Sequence, residues 1–241
     1  MRLFRRKRED APGLTCAAVI VAAGASTRMG LDKLLVEVGG VPAIVRALTP
    51  FQEAPSVSEI VIVTRTELVA DVAGSCRTFG LSKATKVVRG GETRAQSARI
   101  GTLEVSRDAA LIAIHDGARP FVTVQVIEDA IAQAAKSGAA APAIPVKDTI
   151  KLARDGVVEQ TLDRKALYAV QTPQVFDASL IRAALQKALD DGEELTDDCA
   201  AVERLGMKVV LTPGDERNIK LTTPIDLLLG ERLAAEDGVF Q

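Results

Sequence analysis

Arg28 and Lys33 flank Gly30 just beyond Ala22-Ala23-Gly24, so an apolar run ending at Val21 opens into a glycine-containing loop that carries two cations. Glycine and other small residues let backbone N–H groups approach phosphate oxygens, and the cations offset charge that would repel an anionic nucleophile. Polyphosphate binding is the chemistry this suits. Two familiar phosphate fingerprints fail here. Ser26 stands where G-x-G-x-x-G needs its second glycine, and Gly24 to Gly30 encloses five residues with no lysine directly after, unlike a P-loop. The competing reading is a solvated turn with incidental Arg28 and Lys33.

A second cluster is Gly90-Gly91-Glu92-Thr93-Arg94-Ala95-Gln96-Ser97. Paired glycines permit backbone contact with a flat base, and Ser97 falls within the first two turns of a following helix, where it reaches a base edge or is simply solvated. A third is His115-Asp116-Gly117-Ala118-Arg119-Pro120, after an apolar run. Asp116 suits a metal ion or hydroxyls and Arg119 a phosphate or carboxylate, unless the two only pair to close the turn. His115 is the only histidine. Attack by an already ionised phosphate needs no base, so a structural role is expected for it. Lys147–Lys151, Asp163-Arg164, Gln171-Thr172-Pro173-Gln174, Thr196-Asp197-Asp198 and Asn218-Ile219-Lys220 are each weak alone. Thr196 reads as the N-cap of the next helix, and Lys220 alone is equally well a surface charge.

Strand-length apolar runs at residues 14–21, 60–64, 85–88, 111–115, 138–143 and 208–212 must position these clusters. Helical patterns fall at 43–52, 92–103, 124–136, 180–190, 197–205 and 224–235. The alternation predicts an α/β fold, a Rossmann-like mostly parallel sheet with helices on both faces and chemistry at the carboxyl ends of the strands. Residues 148–162 break the pattern with a β-hairpin signature around Asp155-Gly156. A lone hairpin is marginal, so this projecting arm is expected to pack on a second copy of the chain, the alternative being its own domain.

With 241 residues and 47% hydrophobic content the chain can bury one full core. Residues 1–13 read as a disordered basic tail and 14–241 as a single domain with a hairpin arm at 147–171. The absence of Trp, the single Tyr and the net charge of −2 argue against a nucleic-acid partner. Cys16, Cys76 and Cys199 form no C-x-x-C pair, which excludes a disulfide framework or zinc site on spacing and points to a reducing cytoplasm. No run of membrane-span length is present, so no membrane association is expected.

Read in order, A-A-G-x-x-x-R-M-G with Lys33, G-G-x-x-R-x-x-S, H-D-x-A-R-P, V-x-D-T-I-K, L-D-R, Q-T-P-Q, T-D-D and N-I-K closely resemble the 2-C-methyl-D-erythritol 4-phosphate cytidylyltransferase family, over about residues 14–235. The resemblance implies CTP and a sugar-alcohol phosphate as substrates, Mg²⁺ or another divalent cation, and a homodimer exchanging the arm. It assigns Ala22, Ala23, Gly24, Gly91, Glu92 and Ser97 to CTP, with Arg28, Lys33 and Lys220 around the triphosphate. Asp116, Arg119, Thr149, Thr172 and Thr196 would hold methylerythritol phosphate, with Arg164 supplied by the partner subunit, and Asp116 is also the metal candidate. The implied reaction is in-line attack of the acceptor phosphate on the α-phosphorus of CTP, releasing pyrophosphate. Departures are Ser26 for Gly, Asp32-Lys33-Leu34 for Pro-Lys-Gln, Glu92 for Asp and Tyr168 for Trp. Losing the proline frees the loop and places a carboxylate beside Lys33. The rival readings are a cytidylyltransferase for ribitol 5-phosphate or another polyol phosphate, and a non-catalytic nucleotide-binding protein. A dinucleotide-dependent dehydrogenase fails on its glycine pattern and on Thr64-Arg65, where a ribose-binding acid is expected.

Overall fold

The computed structural model describes residues 15–24 and 34–237. The two cations of the first loop, Arg28 and Lys33, and the basic tail lie outside them. In chain order the elements are β1 (Cys16–Ala22), β2 (Glu37–Val38), β3 (Val41–Pro42), α1 (Ala43–Glu53), β4 (Val57–Thr64), α2 (Val69–Thr78), β5 (Ala84–Arg89), α3 (Arg94–Glu104), β6 (Leu111–Asp116) and α4 (Val124–Ser137). They continue with β7 (Ala139–Pro145), β8 (Lys151–Arg154), β9 (Val157–Thr161), β10 (Tyr168–Val170), β11 (Gln174–Asp177), α5 (Ala178–Asp190), α6 (Asp198–Arg204), β12 (Val210–Pro213) and α7 (Pro224–Asp237).

β1 is buried at every position, as an unbroken run of small and branched residues must be when helices cover both faces of a parallel sheet. Its alternate side chains serve two cores. Cys16, Ala18, Ile20 and Ala22 pack with α1, α2 and α4, while Ala17, Val19 and Val21 pack with α3, α5 and α6. A smaller third cluster joins Val38, Phe121, Leu221 and Ala234 beneath α7.

The strands β5, β4, β1 and β6 lie side by side and parallel. β11 inserts antiparallel between β6 and β7, and β12 runs parallel on the other side of β7. Register brings the carboxyl ends level: Ala22 pairs with Thr64, Thr64 with Arg89, and Val21 with Asp116. The loops that follow β1, β5 and β6 therefore leave the sheet at one rim, the mostly parallel architecture expected from the alternation.

Several local features differ from the sequence expectation. The short strands β10 and β11 and the helix α2 were not anticipated, because three- and four-residue strands and a weakly patterned helix leave little periodic signal. The helix expected from residue 92 starts at Arg94, since Thr93 forms a reciprocal capping box with Gln96. The cap of α6 is Asp197, not Thr196: the Asp197 carboxylate accepts the Ala200 N–H at 2.9 Å, and Thr196 is exposed. The hairpin forms as expected, with Asp155 and Gly156 at φ 50° and 78°, but Tyr168–Val170 already pairs with β7 and so returns the chain to the sheet before residue 171. Every residue of β8, β9 and β10 is exposed, including Leu152, Val157, Val158 and Tyr168. Among the described residues no helix is long and apolar enough to cross a membrane, and the three cysteines are free and buried.

Candidate active site

Ala22, Ala23 and Gly24 beyond β1, Gly91 to Arg94 and Ser97 at the start of α3, Asp116 and Ala118 after β6, and Lys220 line one pocket of about 240 Å³. Its two sides differ in chemistry. One is backbone and small side chains, and absent side chains set its dimensions: a Cβ on Gly90 would lie 2.5 Å from the Ala23 Cβ, and one on Gly91 2.5 Å from the Gln96 Cβ. Farther along α3, a Cβ on Gly101 would collide with Val19 and come within 2.8 Å of Val63, so the helix lies directly on β1 and β4. Ser97 is buried and its hydroxyl is committed to the turn, donating to the Thr93 carbonyl at 2.9 Å and accepting the Gly91 N–H at 3.1 Å. It lines the pocket while fixing the glycine turn opposite β1.

The other side is charged. Asp116 Oδ1 accepts from Arg94 Nε at 3.1 Å, and Asp116 Oδ2 pairs with Lys220 Nζ at 2.8 Å. Arg94 is held from behind as well, through Nη2 to Asp198 Oδ2 at 2.8 Å. Burial alone would raise the Asp116 pKa, but Arg94, Lys220 and Arg119 outweigh it and hold the carboxyl well below the usual carboxylate range. For Asp198 burial wins over Arg94, and its pKa is raised. Arg94, also opposed by burial, is held charged by Asp198 and Asp116. The result is an alternating row of Asp198, Arg94, Asp116 and Lys220 that opens onto the pocket. Arg119 stands beside it, with Nε 3.9 Å from Asp116 Oδ2 and Nη1 donating to the Asn218 carbonyl at 2.6 Å.

Behind Asp116 the backbone is pinned. Its N–H donates to Thr172 Oγ1 at 3.1 Å, and that hydroxyl bonds to His115 Nδ1 at 2.9 Å. His115 Nε2 meets the Arg119 carbonyl at 3.2 Å, which can only accept, so Nε2 carries the proton and Nδ1 accepts from Thr172. Burial lowers the His115 pKa to about 4. A neutral, doubly bonded imidazole packed 5.0 Å from the Phe51 ring is structural, as expected. Cys16 and Cys199 have thiols pushed up by burial and offer no nucleophile.

Of the expected site residues, Ala22, Ala23, Gly24, Gly91, Glu92, Ser97, Asp116 and Lys220 are brought together at the pocket. Arg119 and Thr172 lie behind it as described. Thr149 and Arg164 are exposed on the arm, where Arg164 Nη1 donates to the Lys147 carbonyl at 2.9 Å, and Thr196 is on an exposed turn; none of the three lines the pocket. Arg94 and Asp198 were missed as participants. Both stand in quoted motifs, but only the fold shows that Arg94 bridges two carboxylates from residues distant in sequence.

Small-residue backbone suited to a nucleobase, facing a cation-balanced carboxylate suited to phosphates and hydroxyls at the rim of a Rossmann-like sheet, is the division of labour of a nucleotidyltransferase. Comparison with known proteins narrows the class. A family model described as 2-C-methyl-D-erythritol 4-phosphate cytidylyltransferase (IspD) matches residues 16–235. A relative of that name from Caldanaerobacter subterraneus is 45% identical over 222 residues, covering 90% of this chain and 98% of the relative. Another from Halalkalibacterium halodurans is 42% identical, covering 91% and 97%. The crystal structure of 4-diphosphocytidyl-2C-methyl-D-erythritol synthase from Anaerococcus prevotii superposes with a TM-score of 0.83 at 29% identity, over 93% of this chain and 100% of that one. The chain belongs to the 2-C-methyl-D-erythritol 4-phosphate cytidylyltransferase family, and is a nucleotidyltransferase of the cytidylyl-transfer kind.

Proposed function

We propose that the pocket binds CTP with its base against residues 22–24 and 91 and its phosphates toward Lys220, and that the chain joins it to 2-C-methyl-D-erythritol 4-phosphate. The products are 4-diphosphocytidyl-2-C-methyl-D-erythritol and pyrophosphate, in non-mevalonate isoprenoid biosynthesis. Besides family membership, the observation that carries this reading is the row Asp198, Arg94, Asp116 and Lys220 opening onto a backbone-lined pocket.

An acceptor phosphate oxygen attacks the α-phosphorus of CTP. A P–O bond forms there as the bond to the bridging oxygen of the β-phosphate breaks, and pyrophosphate carries away the electron pair. The nucleophile is already ionised, so positioning and charge stabilisation dominate. Asp116, held ionised, is a poor base and a good acceptor for hydroxyls. Arg94 is fixed at both ends, whereas Lys220 holds one carboxylate oxygen and its side chain is 38% exposed. Lys220 is thus the cation that turns toward phosphate, leaving Asp116 to accept from the acceptor. Arg119, with Nε 3.9 Å from Asp116 Oδ2, adds positive charge beside Asp116 for the acceptor's phosphate. Arg28 and Lys33 complete the triphosphate site in this reading, and Thr172 keeps Asp116 in place.

Asp116 also fits a magnesium ion: Oδ2 accepts one hydrogen bond from Lys220, leaving a lone-pair site on a hard oxygen. Among the described residues no cluster of three or more ligating side chains exists, which suits an ion that takes most of its ligands from phosphates and water. When bound, it would withdraw charge from the phosphates. The exposed apolar arm, with Leu152, Val157 and Val158 uncovered, supports a homodimer in which Thr149 and Arg164 enter the partner's site. Free buried cysteines accord with a cytoplasmic enzyme.

The test is pyrophosphate release with CTP and Mg²⁺, comparing methylerythritol phosphate with ribitol 5-phosphate and using Lys220→Ala as control. Lysine-dependent release with the first acceptor alone supports the reading. Preference for ribitol phosphate replaces the acceptor, and CTP binding without release by folded protein leaves only a nucleotide-binding protein.

A further inference from the structure

Gln171, 5% exposed, directly follows β10 and does not line the pocket. Its side chain grips a peptide instead. Nε2 donates to the Asp215 carbonyl at 2.7 Å, and Oε1 accepts the Asp215 N–H at 3.1 Å, so one amide satisfies both backbone groups of a residue in another loop. Its own backbone N–H donates to the Pro142 carbonyl of β7 at 2.8 Å, which anchors the grip to the sheet. The fit depends on Gly214: a Cβ there would stand 2.6 Å from Gln171 Oε1 and 3.0 Å from the Ala143 carbonyl carbon.

The gripped loop carries Lys220. Asn218 is fully buried, and its Nδ2 donates to the Thr172 carbonyl at 2.9 Å and to Gln171 Oε1 at 3.4 Å. Beyond the lysine, the Leu221 N–H donates to the Ala118 carbonyl at 2.8 Å. Thr172 meanwhile accepts the Asp116 N–H at 3.1 Å. Two consecutive residues therefore hold the backbones on either side of the 2.8 Å contact between Lys220 and Asp116. We infer that Gln171 is a positioning residue for the transfer reaction, setting Lys220 against Asp116 by clamping the loop at Asp215. The inference rests on the assignment of Lys220 proposed above.

Displacement of a catalytic group by about 1 Å costs on the order of 100-fold in rate, so loss of the clamp is expected to lower kcat by about 10- to 100-fold. The base side, built from residues 22–24 and 91, is not touched by Gln171, so any rise in KM for CTP, acting through the phosphates that face Lys220, should be smaller than the loss in kcat. The experiment measures pyrophosphate release and thermal stability for Gln171→Ala, Gln171→Glu, Lys220→Ala and the double variant Gln171→Ala/Lys220→Ala. If Gln171 acts through Lys220, the double variant is no slower than Lys220→Ala. In Gln171→Glu, the protonated acid again offers an O–H to the Asp215 carbonyl and an acceptor to its N–H. Its kcat relative to the parent should then rise as pH falls through the carboxyl pKa, a recovery that Gln171→Ala lacks.

Parental kcat in folded Gln171→Ala, or fully multiplicative losses in the double variant, would overturn the inference. Inactive Lys220→Ala beside fully active Gln171→Ala refutes the clamp and spares the lysine's role, whereas active Lys220→Ala removes both. Should Gln171→Ala not fold, Gly214→Ala expels Oε1 by the added methyl and must show the same kcat loss; parental kcat there overturns the inference.

Discussion

Arg94→Ala would strip the buried row of its central cation. Asp198 is 1% exposed, its Oδ1 has no hydrogen-bond partner, and its charge partner at 2.8 Å is Arg94. Asp116 is less exposed to the loss, because Lys220 remains at 2.8 Å. Breaking a buried pair on one side typically costs about 3–5 kcal/mol, and about 3 kcal/mol is expected here since Asp198 can take up a proton. At about 2–4 °C per kcal/mol for a chain of this size, the melting temperature should fall by about 6–12 °C at pH 7. The pH dependence has a definite sign. Burial already raises the Asp198 pKa, and losing Arg94 raises it further above the unfolded value. The folded variant then binds more protons than its unfolded chain, so acidification stabilises it relative to the parent, and the deficit should shrink between pH 7 and pH 5. Calorimetric melts of both proteins at the two pH values measure this, and adding Asp198→Asn should recover at least half of the loss. A deficit below about 1 kcal/mol, or one equal at both pH values, would refute the charge-row account.

Burial lowers His115 from 6.5 to about 4, so the unfolded chain binds more protons between those values. Its contribution, about 3 kcal/mol, should be fully present above pH 6.5 and lost on acidification toward pH 4, a slope that His115→Gln flattens in denaturant titrations. Lys220→Ala should lower kcat by about 10²–10³-fold with little change in melting temperature, since the lysine is partly exposed; retention of kcat would remove it from the transition state. Mixing Arg164→Ala with Lys220→Ala subunits should restore one competent site per hybrid dimer, measured as pyrophosphate release after confirmed exchange. No recovery would sink the shared site.

The parts of the fold legible in the sequence are those with long periodic or unbroken apolar runs. β1, β6 and α4 could be read because burial on both sheet faces, or on one helical stripe, constrains many consecutive residues. β10 and β11 were not, since three or four residues on either side of Pro173 carry no period, and their pairing is decided by β7 and β6. The pocket was legible where glycines and charges cluster after strands, at residues 22–24, 90–97 and 116–119. Arg94 and Asp198 were not, because their pairing joins α3 to the first turn of α6 across the sheet rim, a coincidence in space with no counterpart in spacing. Thr196 was misplaced as a cap for a local reason, Asp197 being an equally good capping residue one position later.

Gly101 has a consequence for how such a site diversifies. Arg94, Ser97 and Gly101 share one stripe of α3, so two groups that line the pocket and the missing side chain that sets the helix on β1 belong to a single rigid ruler. Enlarging residue 101 would lift the whole stripe at once, moving Arg94 on the charged side and Ser97 at the glycine turn together. Change in what the pocket accepts is therefore channelled away from the helix body to Glu92, an exposed residue of the turn, since Gly91 has no room for a Cβ beside Gln96 and Thr93 caps the helix.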